Sequence, residues 1–227
     1  MMSFKGKHFP KDVILFGVYF YLRYPVSYQD LQEIMEERGV DVDDATLNRW
    51  VIEYAPLLAE EARKRKVPSG RSWRMDETYV KVKGRWMYQY RAVDKHGKTL
   101  DFMLSEQRDE KAAEAFFKQA VGNNGVPDKV VIDKSGANQA GLLNVNLILF
   151  FLGFWPLIEI LQVKYLNNII EQDHRFIKKI TKPMKGFKAF HSASATLQGI
   201  EVAHMIRKKQ LGQTELTPFQ QFAALAG

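Results

Sequence analysis

The sequence predicts a mixed α/β fold preceded by a small all-helical module. Three strand-like runs follow one another at residues 75–83, 86–93 and 99–104, and helical and strand-like stretches alternate after them. A meander of strands followed by alternating elements is typical of a mixed sheet covered by helices. The N-terminal part instead repeats its apolar residues only at helical spacing, which indicates a separate unit.

Length, charge and cysteine content limit the possible classes of protein. With 227 residues, 46% of them hydrophobic, the chain can bury a sizeable core. It has no cysteine, which excludes disulfides and thiolate metal sites and suits a reducing cytoplasm. The net charge of +7 favours polyanionic partners, nucleic acid before acidic membrane.

One apolar stretch, residues 142–161, approaches the length of a membrane span. Asn144, Asn146, Pro156 and Glu159 interrupt it. We therefore expect no membrane association. The prediction is a buried helix, a turn at residues 153–156 and a buried strand.

The N-terminal module has the pattern of a helix-turn-helix. Ser27 is placed to cap a helix, Gly39 to end it, and Pro56 to stop the next one. A helix, a tight turn and a second helix after an apolar first helix is the arrangement of many DNA readers. The predicted helices lie at residues 11–22, 27–38 and 44–54.

The third of these helices is the candidate recognition helix. Asparagine and arginine can read base edges, and threonine can contact phosphate. An ordinary three-helix module with a polar outer face is the alternative interpretation. The side chains expected to be exposed are Thr46, Asn48, Arg49 and Glu53, with Leu47, Trp50 and Val51 packed inward.

Two acids stand side by side at the start of the first strand. Alternation places Asp76 on the face that carries Thr78, Val80 and Val82, which is largely apolar and predicted to face the core. Glu77 then belongs to the opposite, charged face and is expected to be solvated. Asp76 is the candidate site residue at the rim of the buried face, and a turn cap is its alternative role.

A second candidate acid, Asp133, directly follows the β-branched run Val130-Val131-Ile132. The C-terminal end of a strand is where α/β sheets usually build their sites. The alternative is that residues 133–136 form a turn in which aspartate is simply the turn former.

The third candidate, Glu171, lies in a predicted helix at residues 167–180. It belongs to a polar face on which it could bind a metal while Arg175 and Lys178 hold phosphates. A solvated face laced with ion pairs is the alternative. The polar face comprises Lys164, Asn167, Asn168, Glu171, His174, Arg175 and Lys178, and the opposite, buried face is expected to comprise Ile169, Ile170, Phe176, Ile177 and Ile180.

Oxygen ligands from separate elements are what Mg²⁺ prefers. Two such ions can activate an attacking oxygen and stabilise the leaving oxygen of a phosphodiester. The aromatic residues offer a further possibility, since Trp86 and its neighbours could stack on bases. We expect Trp86 to fill the sheet core instead.

Several strings resemble the DDE transposases of bacterial insertion sequences, in particular the IS-six family. They are residues 75–82 (MDETYVKV), 132–134 (IDK) and 164–174 (KYLNNIIEQDH), together with residues 184–188 and 199–201 and the helix-turn-helix. The resemblance covers nearly the whole chain. The 37 residues between Asp133 and Glu171 are slightly more than such members are expected to have, which leaves residues 136–156 hard to predict.

The resemblance implies an RNase H-like, retroviral-integrase-like catalytic core. It implies that Asp76, Asp133 and Glu171 bind Mg²⁺, or Mn²⁺ in its place, as two ions. It also implies that Lys178 lies near the end of the transposon DNA, and that the protein works in the bacterial cytoplasm near the nucleoid or a plasmid. Lys164, Asn168 and Arg175, on the same polar face, are further candidates for DNA contact. The expected domains are a helix-turn-helix and linker at 1–66, a catalytic core at 67–183 and a C-terminal helical segment at 184–227.

The implied activity is transposition. Such enzymes are expected to bind terminal inverted repeats as dimers or larger assemblies, free a 3′-OH by hydrolysis, join it to target DNA by transesterification, and form replicative cointegrates. A catalytically silent DNA-binding relative is one alternative, although all three acids are present. A metal-dependent nuclease on the same core is the other, although a general nuclease needs no sequence reader.

Overall fold

The computed structural model describes residues 2–212 and 215–227, apart from the side chain of Lys164. Its contacts divide the chain into two compact units, Met1–Val67 with Ile177–Gly227, and Pro68–Phe176. The helices are α1 (Lys11–Arg23), α2 (Tyr28–Glu36), α3 (Asp44–Arg65), α4 (Glu110–Asn124), α5 (Gly136–Phe151), α6 (Asn168–Thr181), α7 (Phe190–Arg207) and α8 (Pro218–Ala224), with short 3₁₀ turns at Lys164–Asn167 and Lys182–Met184.

The first unit is helical, and the start and end signals predicted for its second helix are confirmed. The Asp30 N–H donates to Ser27 Oγ at 3.1 Å while the Ser27 N–H donates to the Asp30 carboxylate at 2.7 Å, which closes a capping box at the start of α2. Gly39 follows α2 with a φ of 76°, a conformation that favours glycine.

The predicted end of the third helix before Pro56 is wrong, because α3 continues through it to Arg65. A proline costs one backbone hydrogen bond and strains the preceding turn. The buried face of α3 runs on past it through Leu58, Ala59 and Ala62, so burial of this face offsets that cost.

Helix α7 packs against α1 and α3, which groups the C-terminal helices with the N-terminal ones. The predicted three-part division instead treats residues 184–227 as a separate segment. Gly199 shows how closely the helices approach, since a Cβ there would lie 2.4 Å from the Leu22 side chain and 2.9 Å from Ala55. Within this unit, the two ends of the chain form one helical core.

The second unit contains a five-stranded sheet among its described residues. Its order is β3-β2-β1-β4-β5, with β1, β2 and β3 antiparallel and β4 and β5 parallel to β1. Lys83 and Gly84, both at positive φ, form the tight turn between the first two strands. The strands are β1 (Ser72–Val82), β2 (Arg85–Asp94), β3 (Thr99–Ser105), β4 (Lys129–Ile132) and β5 (Glu159–Gln162).

An antiparallel meander extended by two parallel strands is the RNase H-like arrangement, which confirms the expected fold class. Helices α4 and α5 pack on one face of this sheet, where Trp73, Met75 and Tyr90 form the core with Phe116 and Leu142. Asp109 caps α4 and Ser135 caps α5, each by accepting a backbone hydrogen bond.

The prediction of a buried helix and a buried strand for the apolar stretch is wrong in part. Helix α5 buries one side only, against α4, and β5 is an edge strand with no fully buried residue. Among the described residues, no helix is both long and apolar enough to cross a membrane. The large apolar side chains of the stretch that are exposed are Leu143, Leu147, Ile148, Phe150, Phe151, Leu152, Phe154 and Trp155.

Candidate active site

Three carboxylates lie close together, two of them inside β1 and the third directly after β4. Oxygen atoms of Asp76, Glu77 and Asp133 lie within 4.8 Å of one another. The parallel pairing explains the meeting, because Arg74 lies opposite Val131 and each chain reaches its aspartate two residues later. Asp133 directly follows β4, as the sequence predicts, whereas Asp76, predicted at the start of the first strand, lies inside β1.

Glu77 is not the solvated residue that the sequence predicts. Its side chain is only 2% exposed, and it shares its face of β1 with Trp73 and Met75, which α4 and α5 cover. Burial raises the pKa of the Glu77 carboxyl, while Arg108 and the Asn138 amide act in the opposite direction. Alternation fails here because both faces of the sheet are covered at this point.

Arg108, just before α4, lies among these acids. Its Nε donates to Glu77 Oε1 at 3.3 Å, one terminal nitrogen donates to the Tyr79 hydroxyl at 3.4 Å, and the other to Asp133 Oδ2 at 3.5 Å. The nearby carboxylate of Glu77 raises the pKa of the Arg108 guanidinium, against the effect of its partial burial. Nothing in the spacing of the sequence marks this arginine as part of the cluster.

Asp133 is both a turn former and a member of the cluster. Its Oδ1 accepts from the Ser135 N–H at 3.0 Å and from the Asn138 side-chain amide at 3.3 Å. Both donors belong to the start of α5, which fixes the carboxylate directly after β4. The two interpretations of Asp133 in the sequence are thus compatible.

On the opposite face of β1, Asp76 belongs to a second network. His174 Nε2 lies 3.3 Å from Asp76 Oδ2, and its Nδ1 lies 3.5 Å from a terminal nitrogen of Arg91. Arg91 is fully buried and donates to Asp173 Oδ2 at 2.7 Å. Because a guanidinium can only donate, Nδ1 is the nitrogen of His174 that accepts in the contact with Arg91.

The predicted polar face of α6 therefore divides in two. Asn167 and His174 are buried, whereas Ile169, predicted to be buried, is 37% exposed. The reason is that the sheet beneath α6 presents the charged Asp76 and Arg91, so polar side chains turn inward. Asn167 donates its amide to the Met75 carbonyl oxygen at 3.4 Å.

Glu171 lies one turn before His174 on α6 and is exposed. Among the side chains that the structure describes, the acids within ligand distance of one another are the three named above, and Glu171 is outside that group. Asn168, Arg175 and Lys178 are exposed on the same helix. Lys164, also predicted to contact DNA, has a side chain outside the described residues.

The candidate reading residues lie on two sides of α3. Arg49 is exposed and donates to the Thr46 hydroxyl at 2.6 Å, and both line a groove shared with Lys7 and His8. Asn48 instead lines a groove on the other side, together with Lys185, Lys188 and His191. Arg49 and Glu53 are exposed as predicted, while Thr46 and Asn48 are half-buried.

The expectation that Trp86 fills the core is wrong, because its side chain is 60% exposed near the tip of the β1–β2 hairpin. It contacts Tyr79 edge-on, with ring centroids 6.3 Å apart. Trp73, in contrast, is buried among the core residues of the sheet.

The donor set suits a divalent metal ion. Carboxylate oxygens are the hard ligands that Mg²⁺ and Mn²⁺ accept. Glu77 Oε2 is buried beside the two aspartates and has no hydrogen-bond partner, so the negative charge of the cluster is not fully compensated by the described residues.

An RNase H-like sheet with one aspartate on β1 and another directly after the adjacent parallel strand β4 is the arrangement expected of a DDE polynucleotidyl transferase. Comparison with known proteins supports the same class. The family model DDE_Tnp_IS240, described as a DDE domain, matches residues 70–210, which is more than half of the chain.

Two curated Staphylococcus aureus proteins are similar over almost their whole length. The transposase for the insertion sequence-like element IS431mec of strain Mu50 is 42% identical over 227 residues, covering 96% of this chain and 95% of the relative. The transposase for insertion sequence element IS257 in transposon Tn4003 gives the same values. The chain therefore belongs to the DDE transposases of insertion sequences, in the IS-six family, and it is an enzyme of the polynucleotidyl transferase type.

Solved retroviral integrases are more distant. The catalytic core domain of the HTLV-2 integrase, in its dimeric form with magnesium, has a TM-score of 0.46 and 13% identity, covering 70% of this chain and 98% of that chain. The catalytic core domain of the BIV integrase has a TM-score of 0.46 and 16% identity, covering 69% of this chain and 95% of that chain. The fold assignment rests on the sheet order itself.

Proposed function

We propose that this transposase binds the terminal inverted repeats of its element, cleaves to free a 3′-OH, and joins that end to target DNA by transesterification. The observation that carries the proposal is that Asp76 on β1 and Asp133, directly after the parallel strand β4, lie within ligand distance of each other. Replicative cointegrate formation and assembly as a homodimer or larger complex on DNA are part of the same proposal.

Asp76 and Asp133 would hold the metal, Mg²⁺ or Mn²⁺ and two ions in all, and Glu171 would complete the ligand set from α6. When bound, such ions supply charge stabilisation and activation of the attacking oxygen. The chain's own residues prepare the ligands. His174 orients Asp76, and the start of α5 fixes one oxygen of Asp133 and leaves the other directed at the cluster.

The basic surface would hold the DNA. The exposed Asn168, Arg175 and Lys178 continue from Glu171 along α6, and we assign Lys164 to the same contact from its sequence position. Thr46, Asn48 and Arg49 of α3 would read the inverted repeats in the manner of a recognition helix, with residues 1–66 as the DNA-binding domain. Lys185 and Lys188, which line the groove beside Asn48, support this placement.

The test is strand transfer in vitro. Purified protein, Mg²⁺ or Mn²⁺, a pre-cleaved oligonucleotide from the end of the element and a supercoiled plasmid are mixed, and joined products are measured. Asp133→Asn is compared with Asp128→Asn, the same change at an exposed position just before β4. We expect joining by the wild type and Asp128→Asn, and a loss of at least about a thousandfold in Asp133→Asn, since a metal ligand is removed.

Three other outcomes would contradict the proposal. Joining by Asp133→Asn at the wild-type rate would remove the acid cluster from catalysis. Nicking without joining would favour a nuclease. Specific end binding by the wild type without any reaction would favour a silent DNA-binding relative.

A further inference from the structure

The acid cluster contains its own cation. Arg108 contacts both Glu77 and Asp133, and its third donor reaches Tyr79. Its side chain is 34% exposed, so it lies at the mouth of the cluster. A positive charge at this place must act on any metal ion that binds the same carboxylates.

The two acids that Arg108 contacts differ in their access to water. The Glu77 side chain is 2% exposed and that of Asp133 is 38% exposed. A buried carboxylate that loses its cationic partner pays a large desolvation cost, whereas a solvated one can exchange partners easily. The Glu77 contact is therefore the anchor of Arg108, and the Asp133 contact is the exchangeable one.

The bonding of Asp133 supports this division. Its Oδ1 is engaged by Ser135 and Asn138, while Oδ2 faces Arg108 at 3.5 Å. A metal that takes Oδ2 needs to displace only this one long contact. The hydrogen bonds that hold Asp133 after β4 stay in place.

We infer that Arg108, anchored by Glu77, is a positioning residue that neutralises Asp133 until a divalent metal takes that carboxylate. Glu77 then acts through Arg108 and is not itself a metal ligand. The inference rests on the proposed metal-dependent function of the same cluster. It assigns roles to two residues outside the three acids of the DDE set.

The test is Mn²⁺ binding to the full-length protein without DNA, measured from the electron paramagnetic resonance signal of free Mn²⁺. Arg108→Gln removes the charge and keeps a polar side chain of similar shape, and we expect its dissociation constant to fall by at least about fivefold. Arg108→Lys keeps the charge and should stay within about twofold of the wild type. Arg85→Gln, at an exposed position of β2, loses the same net charge and should also stay within twofold.

The double variant Glu77→Gln/Arg108→Gln leaves neither buried charge unpaired, so it serves if Arg108→Gln does not fold. We expect the double variant to bind Mn²⁺ about as tightly as the wild type, because one positive and one negative charge are removed from the cluster together. Binding more than fivefold weaker than the wild type would show that Glu77 is a ligand and would overturn its assigned role.

Two other outcomes distinguish failure of the inference about Arg108 from failure of the proposed metal-dependent function. An unchanged dissociation constant in Arg108→Gln overturns the inference alone, provided that Asp133→Asn still abolishes binding. No Mn²⁺ binding by folded wild-type protein at millimolar concentration would instead contradict the proposed function.

Discussion

The charged groups on the two faces of β1 differ in how deeply they are buried. On one face, Asp76 adjoins His174 and the fully buried Arg91, which is paired with Asp173. On the other face, Glu77 is buried but its arginine, Arg108, remains one-third exposed. Each face therefore has an arginine beside its acids. Arg91 is buried, whereas Arg108 is partly open to solvent.

This difference indicates which charged groups stabilise the fold and which remain available to a ligand. The buried pair of Arg91 and Asp173 is closed to solvent, and losing one partner leaves a buried charge unpaired, whereas Asp76, which is 21% exposed, stays accessible to a ligand. An open pair can exchange one partner for a metal ion or a phosphate with little structural cost. Three substitutions test this contrast, from the largest expected effect on stability to the smallest.

Arg91→Met should lower the free energy of unfolding by about 3–5 kcal/mol, because it leaves Asp173 buried beside His174 without its cation. Urea unfolding followed by circular dichroism measures the change. Lys81→Met, at an exposed position of β1, is the control and should change stability by less than about 0.5 kcal/mol. If Arg91→Met is as stable as the control, the buried pair is not structural. Adding Asp173→Leu to Arg91→Met should recover part of the loss.

Gly141→Ala should lower stability by about 1–3 kcal/mol, since the new methyl group would lie 2.7 Å from the Glu114 backbone nitrogen and 2.8 Å from the Ala113 Cβ. The change separates α5 from α4 and so disturbs the cover over Glu77. Gly122→Ala on α4 has no atom within 4 Å of the new methyl group and should gain about 0.5–1 kcal/mol from helix propensity. Equal effects of the two changes in thermal melting would refute close packing at Gly141.

Trp86→Lys should change stability by less than about 0.5 kcal/mol, because the side chain lies beyond the covered part of both faces. The same urea unfolding measures it, with Trp73→Lys as the contrasting change in the core. A loss above 2 kcal/mol in Trp86→Lys would mean that the hairpin tip is packed, contrary to the structure.

Features encoded locally could be predicted from the sequence. The caps at Ser27 and Gly39 and the position of Asp133 directly after β4 depend on neighbouring residues. The predicted start of the first strand is three residues too late, so Asp76 lies inside β1. The burial of Glu77 and His174 depends on which helix covers which face, and this is decided by residues far away in the chain. Arg108 joins Asp133 only in three dimensions, since 25 residues separate them. The extension of α3 past Pro56 likewise follows from its packing against α7.

One oxygen of Asp133 is held by the start of α5 and the other faces the acid cluster, and this difference has a genetic consequence. Asparagine keeps an oxygen that can accept from Ser135, so a copy of the element with this single change should still produce a folded protein. Such a protein would occupy the ends of the element without joining them. We expect an inactivated copy to act as a dominant inhibitor of intact copies in the same cell, which titration of Asp133→Asn into a wild-type joining reaction would measure.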